Sequence, residues 1–219
     1  MSGMALVVLC AFAAMMATSA FALPTVLIGG GEQASSLTGK VTSAIKLETP
    51  STSLECSSGT GEGTTEASKP LGQFHIHATG CKDFVSCTGM GESADVILML
   101  GSYHLLFDTL KTSLSEAGVA ILFLPSATKF NCSGFAEVEI KAGGMILCLI
   151  KNPTALTKVF TAGCEGSKGK IEESKYYNAG GTLVSISTLL TVVGTAAATE
   201  SDIVSTGTSE HAEDVLIMI

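Results

Sequence analysis

Residues 71–79 read Leu-Gly-Gln-Phe-His-Ile-His-Ala-Thr, and this stretch decides the fold class of the chain. From position 74 onward apolar and polar residues alternate, so that Phe74, Ile76 and Ala78 fall on one face and His75 and His77 on the other. Successive side chains of a β-strand point to opposite faces of its sheet. The period of two therefore predicts a half-buried strand.

Similar stretches recur along the chain. They predict further strands at residues 41–48, 53–56, 95–100, 103–108, 117–124, 135–141, 145–150, 169–177, 182–193, 202–205 and 214–219. Residues 59–63 are predicted as a turn or bulge, residues 111–117 as a helical turn, and residues 153–160 as a short helix or a strand. About a dozen short strands at this spacing predict an all-β fold, an antiparallel β-sandwich or barrel stabilised by disulfides.

Two predicted strands are continuously apolar. Residues 96–100 read Val-Ile-Leu-Met-Leu and residues 119–124 read Val-Ala-Ile-Leu-Phe-Leu. An uninterrupted apolar run fits a strand that is covered on both faces.

The composition supports a β-rich domain with a hydroxylated surface. Of 219 residues 46% are hydrophobic and only 15% charged, while Ser, Thr and Gly each occur 24 times. Threonine favours strands, and Ser and Gly favour tight turns.

The charge pattern excludes two classes of partner. The net charge is −8 and the chain contains no Arg, so nucleic acid is not expected as a partner. The chain also lacks a polybasic cluster, which removes the usual attraction to an anionic membrane. No membrane contact is expected beyond the signal segment.

The chain starts with a predicted signal peptide, residues 1–22. An uncharged apolar run ends in Ala20-Phe21-Ala22, the small-x-small pattern of a cleavage site, although the segment before it has no Lys or Arg. An uncleaved anchor is the alternative, because the apolar run continues to Ile28 and could nearly cross a bilayer. Pro24 and the glycines at 29–31 interrupt the end of this run and favour a signal peptide. We expect a flexible leader at 23–36, one all-β domain at 37–219, and a secreted or cell-surface location.

Six cysteines follow the signal segment, and an even number in an exported chain favours three disulfides. The sequence leaves their pairing open. Proximity favours Cys81 with Cys87 and Cys148 with Cys164, which leaves Cys56 for Cys132.

A metal site is the alternative at the same place. His75 and His77 share a strand face and precede Cys81 and Cys87 closely. The spacing of these cysteines is not that of a zinc site, and oxidised cysteines cannot bind metal. We therefore expect no metal or other cofactor.

Catalytic motifs are not recognisable. The chain lacks the Gly-x-Ser-x-Gly elbow, and His75, His77, His104 and His211 lie beside no signature. Residues 163–170 resemble a phosphate-binding loop only superficially, and Glu172 and Glu173 would point to opposite strand faces. Asn131-Cys132-Ser133 matches a glycosylation sequon with a cysteine at its centre. We assign no catalytic residue.

Several short motifs resemble uncharacterised exported proteins of soil actinobacteria. They are residues 37–39 (Leu-Thr-Gly), 54–58 (Leu-Glu-Cys-Ser-Ser), 59–62 (Gly-Thr-Gly-Glu), 79–81 (Thr-Gly-Cys), 87–88 (Cys-Thr), 130–134 (Phe-Asn-Cys-Ser-Gly) and 167–170 (Ser-Lys-Gly-Lys). The resemblance implies export and a β-rich fold, and it implies no activity or ligand. Cys148, Cys164 and the two strand histidines depart from the pattern.

Three functions remain open. The leading hypothesis is a non-enzymatic secreted or cell-envelope module that binds a carbohydrate, a surface polymer or a protein through its loops. The second is a secreted hydrolase with dispersed carboxylates or an unrecognised Ser and His pair. Convergence of His75, His77, Glu62 or Glu137 at a concave site would favour such catalysis. The third is a structural coat protein that self-associates through an open sheet edge.

Overall fold

The computed structural model describes most of the chain after the predicted signal segment. The described residues are 25–28, 35–49, 53–65, 71–107, 119–133, 137–151, 157–164, 175–177, 183–185 and 187–218. These stretches form antiparallel strands and contain no helix, which confirms the prediction of an all-β fold. No helix in this part of the chain is long and apolar enough to cross a membrane.

Sixteen strands follow one another along the described residues. They are β1 (Thr25–Ile28), β2 (Ser35–Val41), β3 (Ile45–Glu48), β4 (Ser53–Thr65), β5 (Leu71–Asp83), β6 (Val85–Gly89), β7 (Val96–Phe107), β8 (Val119–Pro125), β9 (Thr128–Cys132), β10 (Glu137–Ile140), β11 (Ile146–Lys151), β12 (Thr157–Cys164), β13 (Lys175–Tyr177), β14 (Leu183–Ser185), β15 (Leu189–Val193) and β16 (Thr199–Met218). Strands β13 and β14 form a separate hairpin, and the other fourteen belong to one sheet.

Eight strands of this sheet close into a ring, which we call the lumen ring. Its order is β2, β4, β5, β7, β8, β11, β12 and β16, and β16 pairs back to β2. The sheet therefore realises the barrel alternative of the sequence prediction and not the sandwich. An eight-stranded ring has an interior just wide enough for packed side chains or one small ligand.

A second ring of eight strands adjoins the first, and we call it the core ring. Its order is β3, β4, β5, β6, β9, β10, β15 and β16, and β16 pairs back to β3. Three strands belong to both rings: β4 and β5, with 13 residues each, and β16, with 20. Their length follows from this double membership, because one half of each strand serves each ring.

The side-chain alternation of β4 and β5 shifts where they pass from one ring to the other. Cys56 and Gly59 are both buried, although residues three apart in a regular strand point to opposite faces. Between them Ser58 lies opposite Thr79, with their hydroxyl oxygens 2.7 Å apart. The adjoining Gly80 has a φ of 63°, a left-handed conformation that glycine adopts without steric cost. This irregularity lets each strand bury side chains in both rings.

Side chains fill the interior of the core ring. Phe130 and Cys87 are fully buried, and Leu189 is almost so. Two polar side chains of this interior, Thr191 and Ser201, satisfy each other with hydroxyl oxygens 2.7 Å apart. The interior of the core ring therefore contains packed side chains at these positions.

The strands are longer than the sequence predicted, because glycines do not interrupt them. The predicted turn or bulge at residues 59–63 is wrong: these residues continue β4, and Gly61 pairs with Gly39 on one side and Ile76 on the other. Likewise β7 runs through Gly101 and joins two predicted strands. Partner strands on both sides hold the backbone extended, which a single-strand pattern cannot reveal.

The remaining predicted segments are either strands in the structure or lie outside the described residues. The segment 153–160 was predicted as a short helix or a strand, and its described part, from residue 157, belongs to the strand β12. Strand β16 joins the predicted strands 202–205 and 214–219. Strand β1 lies within the predicted leader 23–36 and pairs with β16. The signal segment 1–22 and the helical turn predicted at 111–117 lie outside the described residues.

The two continuously apolar strands differ in how far their outward side chains are buried. Leu122 of β8 is fully buried, as predicted for a strand covered on both faces. Leu100 of β7 is 40% exposed, so the same prediction is wrong for that position.

The six cysteines form three disulfides, each between residues directly opposite in neighbouring strands. The pairs are Cys56–Cys81, Cys87–Cys132 and Cys148–Cys164. Three disulfides indicate an oxidising environment of the kind found outside the cytosol. Proximity predicted the third pair correctly and the other two wrongly.

The wrong pairs have a local cause at the β5–β6 hairpin. Its ladder contains only the pairs Lys82 with Ser86 and Asp83 with Val85. The backbone N–H of Cys81 then donates to the carbonyl oxygen of Asp95, at 3.1 Å, and not across the hairpin. The strands separate there, so Cys81 turns to β4 and Cys87 to β9.

Candidate functional site: an apolar lumen

Large apolar side chains line one part of the lumen ring's interior. Phe74 of β5 packs edge-on against Phe123 of β8, with ring centroids 5.0 Å apart, and Tyr103 of β7 lies 6.2 Å from Phe123. The other bulky residues of this wall are Leu105, Ile121, Ile150 and Phe160. They come from consecutive strands, because inward positions recur at every second residue.

Glycines form the facing part of the wall, on the adjacent strands β2, β4 and β16. Gly39, Gly61 and Gly207 all line the interior. A Cβ atom built on Gly39 would have its nearest neighbour, the carbonyl oxygen of Thr208, at 3.5 Å, which is ordinary van der Waals contact. Space for a side chain therefore exists at Gly39 and is left empty.

The missing side chains leave a cavity of about 180 Å³ inside the lumen ring. Protein interiors normally hold few voids larger than a water molecule. An apolar cavity of roughly 150 Å³ in another protein stays dry and binds benzene or xenon. The lumen is therefore large enough for a small apolar molecule.

The polar groups of the lumen are few. The Tyr103 hydroxyl donates a hydrogen bond to the carbonyl oxygen of Thr64, at 3.3 Å. Burial raises the pKa of Tyr103 above its usual value, so the phenol remains a neutral donor at physiological pH. Lys40, Glu62, His75, Ser205 and Thr208 also border the cavity, although the atoms that line it are mostly apolar. Such a lining suits an apolar ligand better than a carbohydrate, whose hydroxyl groups need many hydrogen-bonding partners.

A smaller cavity of about 50 Å³ lies where the lumen ring meets the core ring, and we call it the junction chamber. It shares Val41, Phe74, Ile76, Phe123, Cys164 and Ser205 with the lumen. Met99, Ile146 and Ile203 belong to its remaining wall. The two spaces are therefore neighbours along the interior of the lumen ring.

His77 and His104 lie outside this site, whereas His75 is one of the residues that border the lumen. His75 and His77 are exposed on the outer face of β5, opposite Glu62 and Thr60 of β4. His104 is half-buried on β7, and its burial lowers its pKa. Among the described residues no three His, Cys, Asp or Glu side chains are placed to hold a metal ion.

The residues proposed for a hydrolase do not converge. Glu62 lies opposite His75 on the lumen ring, whereas Glu137 lies on β10 of the core ring and pairs with Lys129 at 2.9 Å. Within the described chain, the side chains of His75, His77 and His104 form no hydrogen bond. Glu172, Glu173 and most of segment 163–170 lie outside the described residues, as does the side chain of His211.

One exposed residue was not predicted. Phe84 forms the tip of the β5–β6 hairpin, is 98% exposed and has a φ of 57°. A bulky residue in this left-handed region is uncommon and strained. No feature of the sequence around position 84 signals this conformation.

Fold and site together define a class: a disulfide-bonded, all-β protein with two joined rings of strands and an apolar lumen in one of them. Comparison with known proteins adds no family to this description. The chain matches no protein-family model, and it has no significant match among curated proteins or solved structures.

Proposed function

We propose that this protein is a non-enzymatic binding protein that holds a small apolar molecule in the lumen. The observation that carries the proposal is the cavity of about 180 Å³ between an aromatic wall and a wall of glycines. A cavity of this size has a cost, since an empty apolar space forfeits the contacts of its lining atoms. A ligand would restore those contacts.

We also propose that the protein acts after export, at the cell surface or in the surrounding medium. The predicted signal segment and the three disulfides support this location. A small apolar molecule is poorly soluble in water, so a carrier or sensor for it would need an apolar cavity of this kind.

The other hypotheses find less support in the geometry. Ring closure leaves the strands of the two described rings without the open edge that a self-associating coat protein would use. Binding of a carbohydrate, a surface polymer or a protein through loops would need a different site from the lumen.

The test uses the oxidised full chain and an uncharged fluorescent probe, N-phenyl-1-naphthylamine. We expect saturable binding with one site per chain. Gly39→Leu should abolish this binding, because its side chain extends from an open position into the lumen. Thr38→Leu is the matched control, since it adds a leucine to the exposed face of the same strand.

Two results would reject the proposal: no saturable binding to the unmodified protein, or full binding to Gly39→Leu. Thermal unfolding of both variants shows whether they are folded. Gly39→Val provides a second variant with a smaller side chain.

A further inference from the structure

We infer that the ligand is an unbranched alkyl or acyl chain whose end enters the junction chamber. This inference rests on the proposed function and names the chemical class of the ligand. It depends on three observations: the position of the junction chamber, the aromatic pair beside it, and the distance that the two spaces cover.

The junction chamber continues the lumen toward the core ring. Ile45 and Ile203, which line the chamber, are paired within the core ring, while Phe74 and Phe123 belong to the lumen ring. Beyond the chamber the core ring is filled, with Phe130 and Leu189 almost wholly buried. The interior path therefore ends at the chamber, which would hold the tip of a ligand.

Phe74 and Phe123 line both the lumen and the junction chamber. Their rings are nearly perpendicular, at 84°. Phe74 belongs to the buried core, and the partly buried Phe123 packs against that core. A rigid aromatic pair at the shared wall restricts the width of the passage. A chain one methylene wide is more compatible with this passage than a fused ring system or a sugar.

The length of the path follows from β7. Leu105 lines the lumen and Met99 lines the junction chamber, six residues away on the same inward face. Six residues cover ~20 Å along a strand, or ~15 Å along the axis of a ring with the usual strand tilt. An extended chain of roughly ten to twelve carbon atoms spans this distance.

The experiment measures the affinities of straight-chain carboxylic acids from six to eighteen carbons, by displacement of N-phenyl-1-naphthylamine. Affinity should rise about fourfold per added methylene. It should stop rising at roughly ten to twelve carbons, when the path is full. Cholesterol and naphthalene are the compact comparators, and both should bind more weakly than the best chain.

Two variants, Met99→Phe and Ile146→Phe, reduce the junction chamber from different strands. Each should move the plateau to shorter chains and lower the affinity for the twelve-carbon acid about fifteenfold, the loss of roughly two methylenes. Leu100→Phe is the matched control, because it adds a ring to the outer face of β7.

The outcomes separate the two proposals. If the fluorescent probe binds but neither chamber variant moves the plateau, the inference is wrong and the lumen proposal stands. Tighter binding of cholesterol or naphthalene than of any chain would also overturn the inference. If the unmodified protein binds no probe, the lumen proposal itself fails.

Discussion

Two glycine substitutions on facing sides of the lumen ring should change stability in opposite directions. Gly101 of β7 lies beneath the ring of Phe74, and a Cβ atom there would come within 2.8 Å of that ring and still closer to the carbonyl oxygen of Leu124. Phe74 is only 5% exposed and packs on Phe123, so it cannot move aside. At Gly39 the nearest atom would be 3.5 Å away.

The magnitudes follow from these distances. Overpacking at a rigid site costs about 1 to 3 kcal/mol. Replacing glycine by alanine stabilises the folded state by about 0.4 to 1 kcal/mol, because the unfolded chain loses conformational freedom. Gly101→Ala should therefore destabilise the protein by about 1 to 2 kcal/mol. Gly39→Ala should stabilise it by about 1 kcal/mol, since it also buries a methyl group against the cavity.

The assay is urea unfolding of the oxidised proteins, followed by circular dichroism. The dependence of the unfolding free energy on urea concentration should be the same for both variants and the unmodified protein. A gap of about 2 to 3 kcal/mol between the variants corresponds to roughly 4 to 12 °C in the unfolding temperature of a chain of this size. Equal shifts in the two variants, or a neutral Gly101→Ala, would refute the described contact between Phe74 and β7.

The remaining predictions concern the disulfides, the hairpin tip and a buried carboxyl group. Peptide mapping without reduction should recover Cys56–Cys81, Cys87–Cys132 and Cys148–Cys164, and a Cys81–Cys87 peptide would contradict the fold. In denaturant unfolding, replacing both Cys87 and Cys132 by alanine should cost about 4 kcal/mol, and replacing both Cys148 and Cys164 about 3 kcal/mol, because the first pair closes the longer loop. Phe84→Asn should stabilise the protein by about 1 kcal/mol, since asparagine tolerates a positive φ and the exposed phenyl ring contributes no burial; a less stable variant would show that Phe84 has contacts that the structure lacks. Asp202 is 5% exposed, and its Oδ2 atom has no hydrogen-bond partner in the part of the chain that the structure describes. Burial is the main cause that raises the pKa of Asp202, and the carboxylate of Glu48 adds to it. The folded state therefore holds this proton to higher pH than the unfolded state does, so stability should fall as pH rises above about 4, the usual aspartate pKa. Asp202→Asn should be more stable than the unmodified protein at pH 7 and no more stable at pH 3; a constant difference between the two proteins across this range would contradict the assignment.

Local alternation was sufficient to predict β5 and its inward face. Phe74, Ile76 and Ala78 do lie on the inward side of β5, and the histidines between them do face outward. The period of two is visible in the local sequence because successive side chains of a strand point to opposite faces.

The glycines of residues 59–63 predicted a turn because glycine is common in turns, but glycine also occurs in strands where a side chain is absent from one face. Gly59, Gly61 and Gly63 alternate with Thr60 and Glu62, and this alternation places all three on one strand face. A turn does not require such spacing, so the pattern was a signal for a strand with an empty inward face. Whether those glycines open a lumen depends on strands far away in the chain, which no local pattern reports.

The disulfide pairing also depends on contacts between strands that are distant in the sequence. Cys81 and Cys87 would face each other in a regular hairpin, since Lys82 pairs with Ser86. The carbonyl oxygen of Asp95 captures the Cys81 N–H group and ends that ladder. Proximity along the chain succeeded only for Cys148 and Cys164, which a single connection joins across adjacent strands.

The position of β16 in both rings affects how the chain can be made. Its first residues pair with β3 and β15, and its later residues pair with β2 and β12. The ribosome produces this strand after every other member of the two rings, so neither ring can close during the synthesis of the preceding strands. A chain truncated before β16 would therefore leave β2, β3, β12 and β15 with unpaired edges, which are surfaces that favour aggregation.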